Sequence, residues 1–356
     1  MDLHYKYSGA RQEALIIISP PSCSRNFQKA AMNNVPFAMK KIAKPLLPGW
    51  IFRVRARHHL SSIAKKYGMT LSFHQDFSEL TRGPKVLRIA ANQTIYIPGM
   101  IESFDLYFDS VVPIQVGNRF IVDLSGPRYH RLIGFDELPL MFPSQSEPFV
   151  TTAQYLEFAN LTEGQVAFDL GAYAGVASIV FAQRVGKSGA VFAFEADPNN
   201  FLCAAENIRL ARQWLDVHNI TLVESAVWSH REGLEFSTEG TMASSAASII
   251  GRGRGSVIRV ASTTIADFCA SRGIDKVDFI KMDIEGAEIE VLKASQQILT
   301  RLKPRLIVEP HLVESRMSTD PCCEILANCG YKIRLIQQIG FSVPLIEATP
   351  IRERKS

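Results

Sequence analysis

The sequence predicts an α/β fold built on a doubly wound parallel sheet, with a smaller β-rich region before it. The first observation is the stretch 166–175, in which a short apolar run stops at a glycine turn and a helical pattern follows. The second is an apolar run over 190–194 that ends on Glu195. The third is a pair of later predicted strands, one over 277–282 with charged residues at its tip and one over 305–308 that leads to polar residues. Such alternation of strands and helices is typical of parallel sheets covered by helices on both faces.

The turn after the first predicted strand carries Asp169, Gly171 and Gly175. We expect the two glycines to let a cofactor approach the backbone closely. Asp169 would repel a pyrophosphate but suits the ammonium group of a methionine-derived ligand, and the turn lacks the middle glycine of the GxGxxG dinucleotide pattern. The sequence therefore favours S-adenosylmethionine over NAD as cofactor. A turn that only packs a helix on the sheet is the alternative.

The tips of the second and third strands complete the predicted nucleoside site. In doubly wound sheets an acid at the tip of the second strand can accept hydrogen bonds from both ribose hydroxyls, and Glu195 has that place. Asp197 and Pro198 then predict the start of the next helix. The third strand, 220–223, is followed by Ser225 and Ala226, which we expect beside the adenine.

The candidates for acid–base chemistry follow the two later strands. Asp283 should lie next to the strand of Asp169 and face the same crevice, and Glu309 and His311 reach the same edge of the sheet. Asp283 is the first choice for orienting or deprotonating an acceptor, with Glu309 and His311 behind it. An ordinary charged turn and a structural histidine are the alternatives. No metal site is predicted, although Mg²⁺ on Asp283 and Glu309 fits the preference of that ion for carboxylates.

Length and composition suggest about two domains, which we place at 1–150 and 151–356. The chain has 356 residues, of which 47% are hydrophobic. The longest early apolar run, 14–19, is too short for a signal peptide, and none approaches the roughly 18 residues that span a bilayer. The six cysteines form no CxxC pair, so we expect a cytoplasmic protein with buried thiols and no structural zinc.

The charge is spread unevenly along the chain. The formal net charge is +4, yet 14–75 contains ten bases and no acid. The bases within 25–66 could contact an anionic membrane surface, a nucleic acid or a charged glycan. A solvated basic face or a poorly ordered extension is the alternative that the sequence favours, because no nucleic-acid-binding motif accompanies the charge. No specific nucleic acid is expected.

The flanking regions are patterned less strongly. Residues 1–80 read as loop and short helix, with helices expected over 26–44 and 60–67. The β-rich region should then contain strands over 86–90, 94–97, 106–108 and 119–123. After the main unit, runs over 331–336 and 342–346 predict an antiparallel hairpin at the edge of the main sheet.

Four motifs resemble the FkbM family of S-adenosylmethionine-dependent methyltransferases. In order, they are FDLGAYAG at 168–175, FEADP at 194–198, ESA at 224–226 and KMDIEGAE at 281–288. The similarity covers 151–346, and the last motif is the most specific. It implies a seven-strand, Rossmann-like methyltransferase sheet and methyl transfer to a hydroxyl of a sugar, polyketide or lipid-linked acceptor. Tyr173 stands where the family usually has Asn.

Two functions of other classes stay open at this point. An NAD-dependent oxidoreductase would share the sheet and Glu195, although the missing glycine argues against it. A non-catalytic adenosine-binding or membrane-associated scaffold would keep the fold and use the basic segment.

Overall fold

The structure of the protein is a computed structural model that describes 49–133, 138–144, 150–238, 244–246, 256–313, 316–338 and 343–351. The predicted helix over 26–44 and the first bases of the basic segment lie outside these residues. No helix among the described residues is long and apolar enough to cross a membrane.

The first described part is a helix followed by a five-stranded sheet. Its elements are α1 (Gly49–Lys66), β1 (Thr70–Phe73), β2 (Phe77–Arg82), β3 (Lys85–Ala90), a 3₁₀ helix (Ala91–Tyr96), α2 (Ile97–Glu102), α3 (Phe104–Ser110), β4 (Ile114–Val116) and β5 (Arg119–Leu124). The strand order is β1-β2-β3-β5-β4, and β3 and β5 run parallel. A β-rich region is therefore confirmed, including the strands expected over 86–90 and 119–123.

Two other strand predictions for this region are wrong. The run 94–97 falls in the 3₁₀ helix and the start of α2, and 106–108 falls in α3. Pro98 lies in the first turn of α2, where the missing N–H of proline costs nothing. Short apolar runs cannot be separated by periodicity into strands and buried helix turns. The interpretation of 1–80 as loop and helix also missed β1 and β2. The first alternates polar and apolar residues over only four positions, and the second has no regular alternation.

The chain then builds a larger sheet through a connecting hairpin and helix. The connection is β6 (Arg128–Arg131), β7 (Pro139–Phe142) and α4 (Val150–Ala159). The elements of the second half are β8 (Val166–Leu170), α5 (Val176–Val185), β9 (Ala190–Glu195), α6 (Pro198–Leu215), β10 (Ile220–Glu224), β11 (Ala226–Val227), β12 (Leu234–Thr238), β13 (Ser245–Ala246), β14 (Ser256–Val260), β15 (Ser262–Thr263), α7 (Ile265–Arg272), β16 (Phe279–Met282), α8 (Glu288–Leu302), β17 (Arg305–Val308), β18 (Leu312–Val313), β19 (Arg316–Met317), α9 (Thr319–Asn328), β20 (Tyr331–Gln337) and β21 (Pro344–Pro350).

Within the described residues the main sheet has seven strands in the order β10-β9-β8-β16-β17-β21-β20. The first five run parallel, and β21 is antiparallel to both of its neighbours. The strand order reverses between β8 and β16, which are neighbours in space but far apart in the chain. The doubly wound sheet and its antiparallel edge hairpin are therefore confirmed.

Local sequence explains the boundaries of the helices that follow β8 and β9. Helix α5 is almost wholly buried and ends at Gly186, whose φ of 64° favours glycine. Helix α6 begins after Asp197, whose carboxylate accepts hydrogen bonds from the N–H groups of Asn199 and Asn200. These two helices pack on the same face of the sheet.

Buried apolar residues form one cluster on each face of the main sheet. Alternate residues of β8 point to opposite faces, so Ala167 joins the first cluster and Phe168 the second. The first cluster also contains Leu80 and Tyr107 from the N-terminal part, together with Phe181 of α5. The five-stranded sheet and the main sheet therefore share a core.

Candidate active site

The carboxyl ends of the parallel strands meet at one edge of the main sheet, where a crevice is expected in doubly wound folds. A cavity of about 620 Å³, part of it open to solvent, lies at this edge. Of the sequence-predicted site residues, the structure brings the following into its lining: Gly171, Glu195, Ser225, Ala226 and Asp283.

Glu195 lies at the tip of β9 with its carboxylate held by backbone donors. Its Oε2 accepts from the N–H of Tyr173 at 2.7 Å, and its Oε1 accepts from Ala196 and Asp197 at 2.9 and 2.8 Å. Burial raises the pKa of Glu195 to about 8, and the backbone donors oppose that rise. Since Oε1 takes two of these bonds and Oε2 one, Oε2 retains the greater capacity to accept from a ligand hydroxyl.

Ser225 and Ala226 line the same cavity on the side of β10. The N–H of Ser225 donates to the backbone oxygen of Glu195 at 3.1 Å, which ties this segment to the tip of β9. Beyond it the wall is apolar, formed by Trp228, Phe236 and other side chains. A wall of this kind beside backbone polar groups suits a flat heterocycle.

The two glycines of the turn have different surroundings. A Cβ on Gly171 would lie 1.8 Å from the backbone oxygen of Asp283, and the φ of Gly171 is +79°. A Cβ on Gly175 would instead meet Ala204 of α6 at 3.3 Å. Gly171 thus lets two strand tips approach each other, and Gly175 lets α6 pack closely on the turn. Among the described residues that line the cavity, Gly171 is included and Gly175 is not.

Asp169 lies behind the cavity in a buried ion pair. It is fully buried, and its Oδ1 lies 3.3 Å from Nζ of Lys281, while its Oδ2 accepts from Ser178 at 2.5 Å. The register of β8 and β16 places Asp169 directly opposite Lys281. Burial opposes the charge of Lys281, but the carboxylates of Asp169 and Asp283 outweigh it and raise the pKa of the ammonium group. Asp169 is therefore not one of the described residues that line the cavity.

Asp283 lies at the cavity wall and is connected to Glu309 through a tyrosine. Its Oδ2 is 3.4 Å from Nζ of Lys281 and 3.4 Å from the hydroxyl of Tyr155, and that hydroxyl donates a hydrogen bond to Glu309. Burial raises the pKa of Glu309, and the positive charge of His311 opposes the rise. The sequence-predicted trio of Asp283, Glu309 and His311 is thus brought together at this edge.

His311 lies among three carboxylates. Its Nδ1 is 2.8 Å from Oε1 of Glu288, and its Nε2 is 3.6 Å from Oδ1 of Asp283 and 3.5 Å from Oε1 of Glu285. Burial opposes the imidazolium charge, but Glu285 and Glu288 outweigh it and raise the pKa of His311 well above its usual value. Asp283, Glu285 and His311 carry potential metal-ligand atoms that all lie within 4.8 Å of one another.

Sequence reasoning assigned no role to Lys281, Tyr155, Glu285 or Glu288. Lys281, Glu285 and Glu288 belong to the charged run 281–288, and this concentration of charge at a strand tip was a usable signal. Tyr155 gave none, because it reads as an apolar position of α4 and reaches the site only through packing.

Tyr173 connects the glycine turn to the preceding region. It has a left-handed φ of 50°, donates its N–H to Glu195 and its hydroxyl to the backbone oxygen of Ser144, and packs its ring near Phe142. Asparagine tolerates a left-handed conformation better than tyrosine does. The contacts with 142–144 explain how this chain keeps tyrosine there.

Comparison with known proteins gives one family match. The model of the methyltransferase FkbM domain matches 169–333. None of the curated proteins compared with the chain matches it.

Among solved structures, similar chains include the methyltransferase FkbM of Methylobacillus flagellatus KT, at 14% identity and a TM-score of 0.41 over 84% of this chain and 60% of that chain. A precorrin-6y C5,15-methyltransferase of Geobacter metallireducens GS-15 is 17% identical with a TM-score of 0.35, over 58% of this chain and 89% of that chain. The chain thus spans less than two thirds of the Methylobacillus protein. The similarity to the methyltransferase FkbM domain thus covers 169–333, just under half of the chain.

Proposed function

We propose that the protein is an S-adenosylmethionine-dependent methyltransferase that methylates a hydroxyl of a sugar, polyketide or lipid-linked acceptor. One observation carries the proposal: a single cavity runs from the carboxylate of Glu195 to that of Asp283, at the tips of two strands that flank β8. One end therefore offers acceptors for ribose hydroxyls, and the other offers a group for the acceptor.

The donor set fits the nucleoside part of S-adenosylmethionine. Glu195 would hold the ribose hydroxyls, and Ser225 and Ala226 would lie beside the adenine, next to the apolar wall of Trp228 and Phe236. The anionic carboxylates at this edge disfavour the pyrophosphate of NAD, and the turn from Gly171 to Gly175 has no middle glycine. The observations that support S-adenosylmethionine as cofactor therefore weigh against the oxidoreductase.

Asp169, Gly171 and Gly175 would shape the methionine side of the site. Asp169 is buried against Lys281, so we propose that it acts on the methionine side through its electrostatic field and by holding Lys281 in place. The ammonium group of Lys281 in turn donates to the backbone oxygen of Gly171 at 2.7 Å. Gly175 acts one step further away, by allowing α6 to pack on the turn. The three residues then position the turn that faces the cofactor.

When bound, S-adenosylmethionine supplies an activated methyl group, so the protein must mainly orient an acceptor oxygen and receive its proton. Asp283 is our candidate for both tasks, because it lines the cavity and its carboxylate lies beside the ammonium group of Lys281. Glu309 and His311 lie behind Asp283 in this arrangement. They would support its position and serve as the second candidates for the base.

We also propose a division of labour along the chain, with 1–150 as an accessory region and 151–356 as the catalytic domain. A cytoplasmic location is supported by the described cysteines, five free thiols of which four are buried.

The described part of the basic segment exposes Arg55, Arg57, Lys65 and Lys66 on α1. Changing these four to glutamine should reduce binding to anionic liposomes at low salt, and unchanged or salt-independent binding would leave them as a solvated face.

Calorimetric titration of the protein with S-adenosylhomocysteine, S-adenosylmethionine and NAD tests the proposed cofactor. We expect the first two to bind and NAD not to bind. Tighter binding of NAD would replace the methyltransferase proposal by the oxidoreductase. Transfer of a labelled methyl group to hydroxyl-bearing acceptors then separates an enzyme from a scaffold that binds the cofactor without turnover.

A further inference from the structure

A set of oxygen and nitrogen donors converges at the rim of the cavity. Asp283 and Glu285 both line the cavity, and Nε2 of His311 faces the two carboxylates at 3.6 and 3.5 Å. These separations are long for hydrogen bonds. Bonds of about 2.1 Å to one ion, at angles of roughly 90° to 120°, place ligand atoms about 3.0–3.6 Å apart, so the spacing suits a shared ion.

Glu288 holds the imidazole in the orientation that such an ion requires. Its fully buried carboxylate lies 2.8 Å from Nδ1 of His311 and also accepts from the N–H of Gly286 at 2.9 Å and the hydroxyl of Ser318 at 3.3 Å. A histidine whose Nδ1–H is donated to a carboxylate presents Nε2 as the ligand atom. Metal-binding histidines commonly have this partner, which fixes the tautomer and the ring.

We propose that Asp283, Glu285 and His311 bind one divalent cation of the Mg²⁺ or Mn²⁺ class, with Glu288 as the positioning residue for the histidine. Two carboxylates and one imidazole form a donor set of hard and borderline character that such ions accept. Three protein ligands leave coordination positions open toward the cavity.

Binding of the ion does not depend on methyl transfer, whereas its use rests on the function proposed above. An acceptor hydroxyl coordinated at an open position would be oriented by the ion and made more acidic. The acceptor class would then be one with a second oxygen beside the methylated hydroxyl, because two adjacent oxygens can chelate one ion. A vicinal diol of a sugar meets this requirement.

The test is titration of the full chain with Mn²⁺. Binding is monitored by calorimetry and by the loss of the electron paramagnetic resonance signal of the free ion. We expect one ion per chain, displaced by excess Mg²⁺. Glu285→Gln and His311→Gln should each weaken Mn²⁺ binding by about tenfold or more, and Glu288→Gln by roughly 10- to 100-fold. The matched control is Glu290→Gln on the same helix, whose carboxylate is 47% exposed and should leave binding unchanged.

The thermal midpoint and S-adenosylhomocysteine affinity of each variant are measured on the same samples. If one of the two ligand variants unfolds, the other still decides the result. Absence of Mn²⁺ binding at millimolar concentration, or equal binding in Glu285→Gln and Glu290→Gln, would overturn the metal site and leave an ion-pair cluster around His311. Binding of Mn²⁺ by a protein that does not bind S-adenosylhomocysteine would support the metal site and refute the function proposed above.

Discussion

Replacing Glu195 by glutamine removes the charge of the carboxylate that we place against the ribose while nearly preserving its shape. Three backbone N–H groups, those of Tyr173, Ala196 and Asp197, donate to the native carboxylate. The glutamine amide has only one oxygen, so it can accept either from Ala196 and Asp197 or from Tyr173. On the other side, its NH₂ group would face a backbone N–H donor. The variant therefore loses the charge-assisted bonds and leaves at least one backbone donor without an acceptor.

The size of the effect follows from these bonds. Charge-assisted hydrogen bonds contribute about 1.5–3 kcal/mol, so loss of the ribose interaction should weaken S-adenosylhomocysteine binding by about 10- to 150-fold. Glu224 is the matched control, because it pairs with Glu195 in the register of β9 and β10 but is exposed to solvent.

Calorimetry on wild type, Glu195→Gln and Glu224→Gln at a pH above the pKa of about 8, where Glu195 is ionised, measures this loss of affinity. Urea unfolding in parallel checks that each variant folds. Glu224→Gln should bind S-adenosylhomocysteine as the wild type does. If Glu195→Gln folds and its dissociation constant is unchanged, the nucleoside does not lie against Glu195, and the orientation of the cofactor in the cavity is wrong.

Three further predictions concern the same cavity. Since burial raises the pKa of Glu195 to about 8, and the ionised form is the better acceptor for hydroxyls, the affinity for adenosine should rise as the pH rises through about 8 and should stay flat in Glu195→Gln. Asp283→Asn should lower methyl transfer by a factor on the order of 10² or more while S-adenosylhomocysteine affinity stays within about threefold; joint loss of both would make Asp283 a cofactor or structural residue. Gly171→Ala should lower the free energy of unfolding by more than about 3 kcal/mol, because its Cβ would meet the backbone of Asp283. The control Gly273→Ala, which also has a positive φ but open space around it, should lower it by only about 1–2 kcal/mol. Equal losses in urea unfolding would contradict the close approach of the two strand tips.

The first three parallel strands of the main sheet could be predicted because β8, β9 and β10 are mostly apolar runs and each is followed by a turn or a helix signal. Gly186 after α5 and Asp197 before α6 are local signals that the structure uses as expected. The N-terminal part lacked such signals. Its helices around 94–108 are short, so local patterning could not separate them from strands, and packing against the shared core decides their conformation.

The site could be predicted only as far as strand tips determine it. Placing Asp169 and Asp283 at one edge required only parallel strands. The partner of Asp169 was beyond that reasoning, since Lys281 points at it from a strand more than a hundred residues away in sequence. The contact between Glu288 and His311 likewise depends on how α8 packs beside β17, which no local pattern encodes.

In the proposed enzyme, one cavity holds the nucleoside at Glu195 and presents the reacting centre to Asp283. A crystal structure of the full chain with S-adenosylhomocysteine tests it most directly. We expect both ribose hydroxyls to lie within hydrogen-bond distance of the Glu195 carboxylate, the adenine to lie beside Ser225 and Ala226, and the sulfur to face Asp283. A nucleoside bound outside this cavity, or bound in it with the sulfur directed away from Asp283, would contradict the claim.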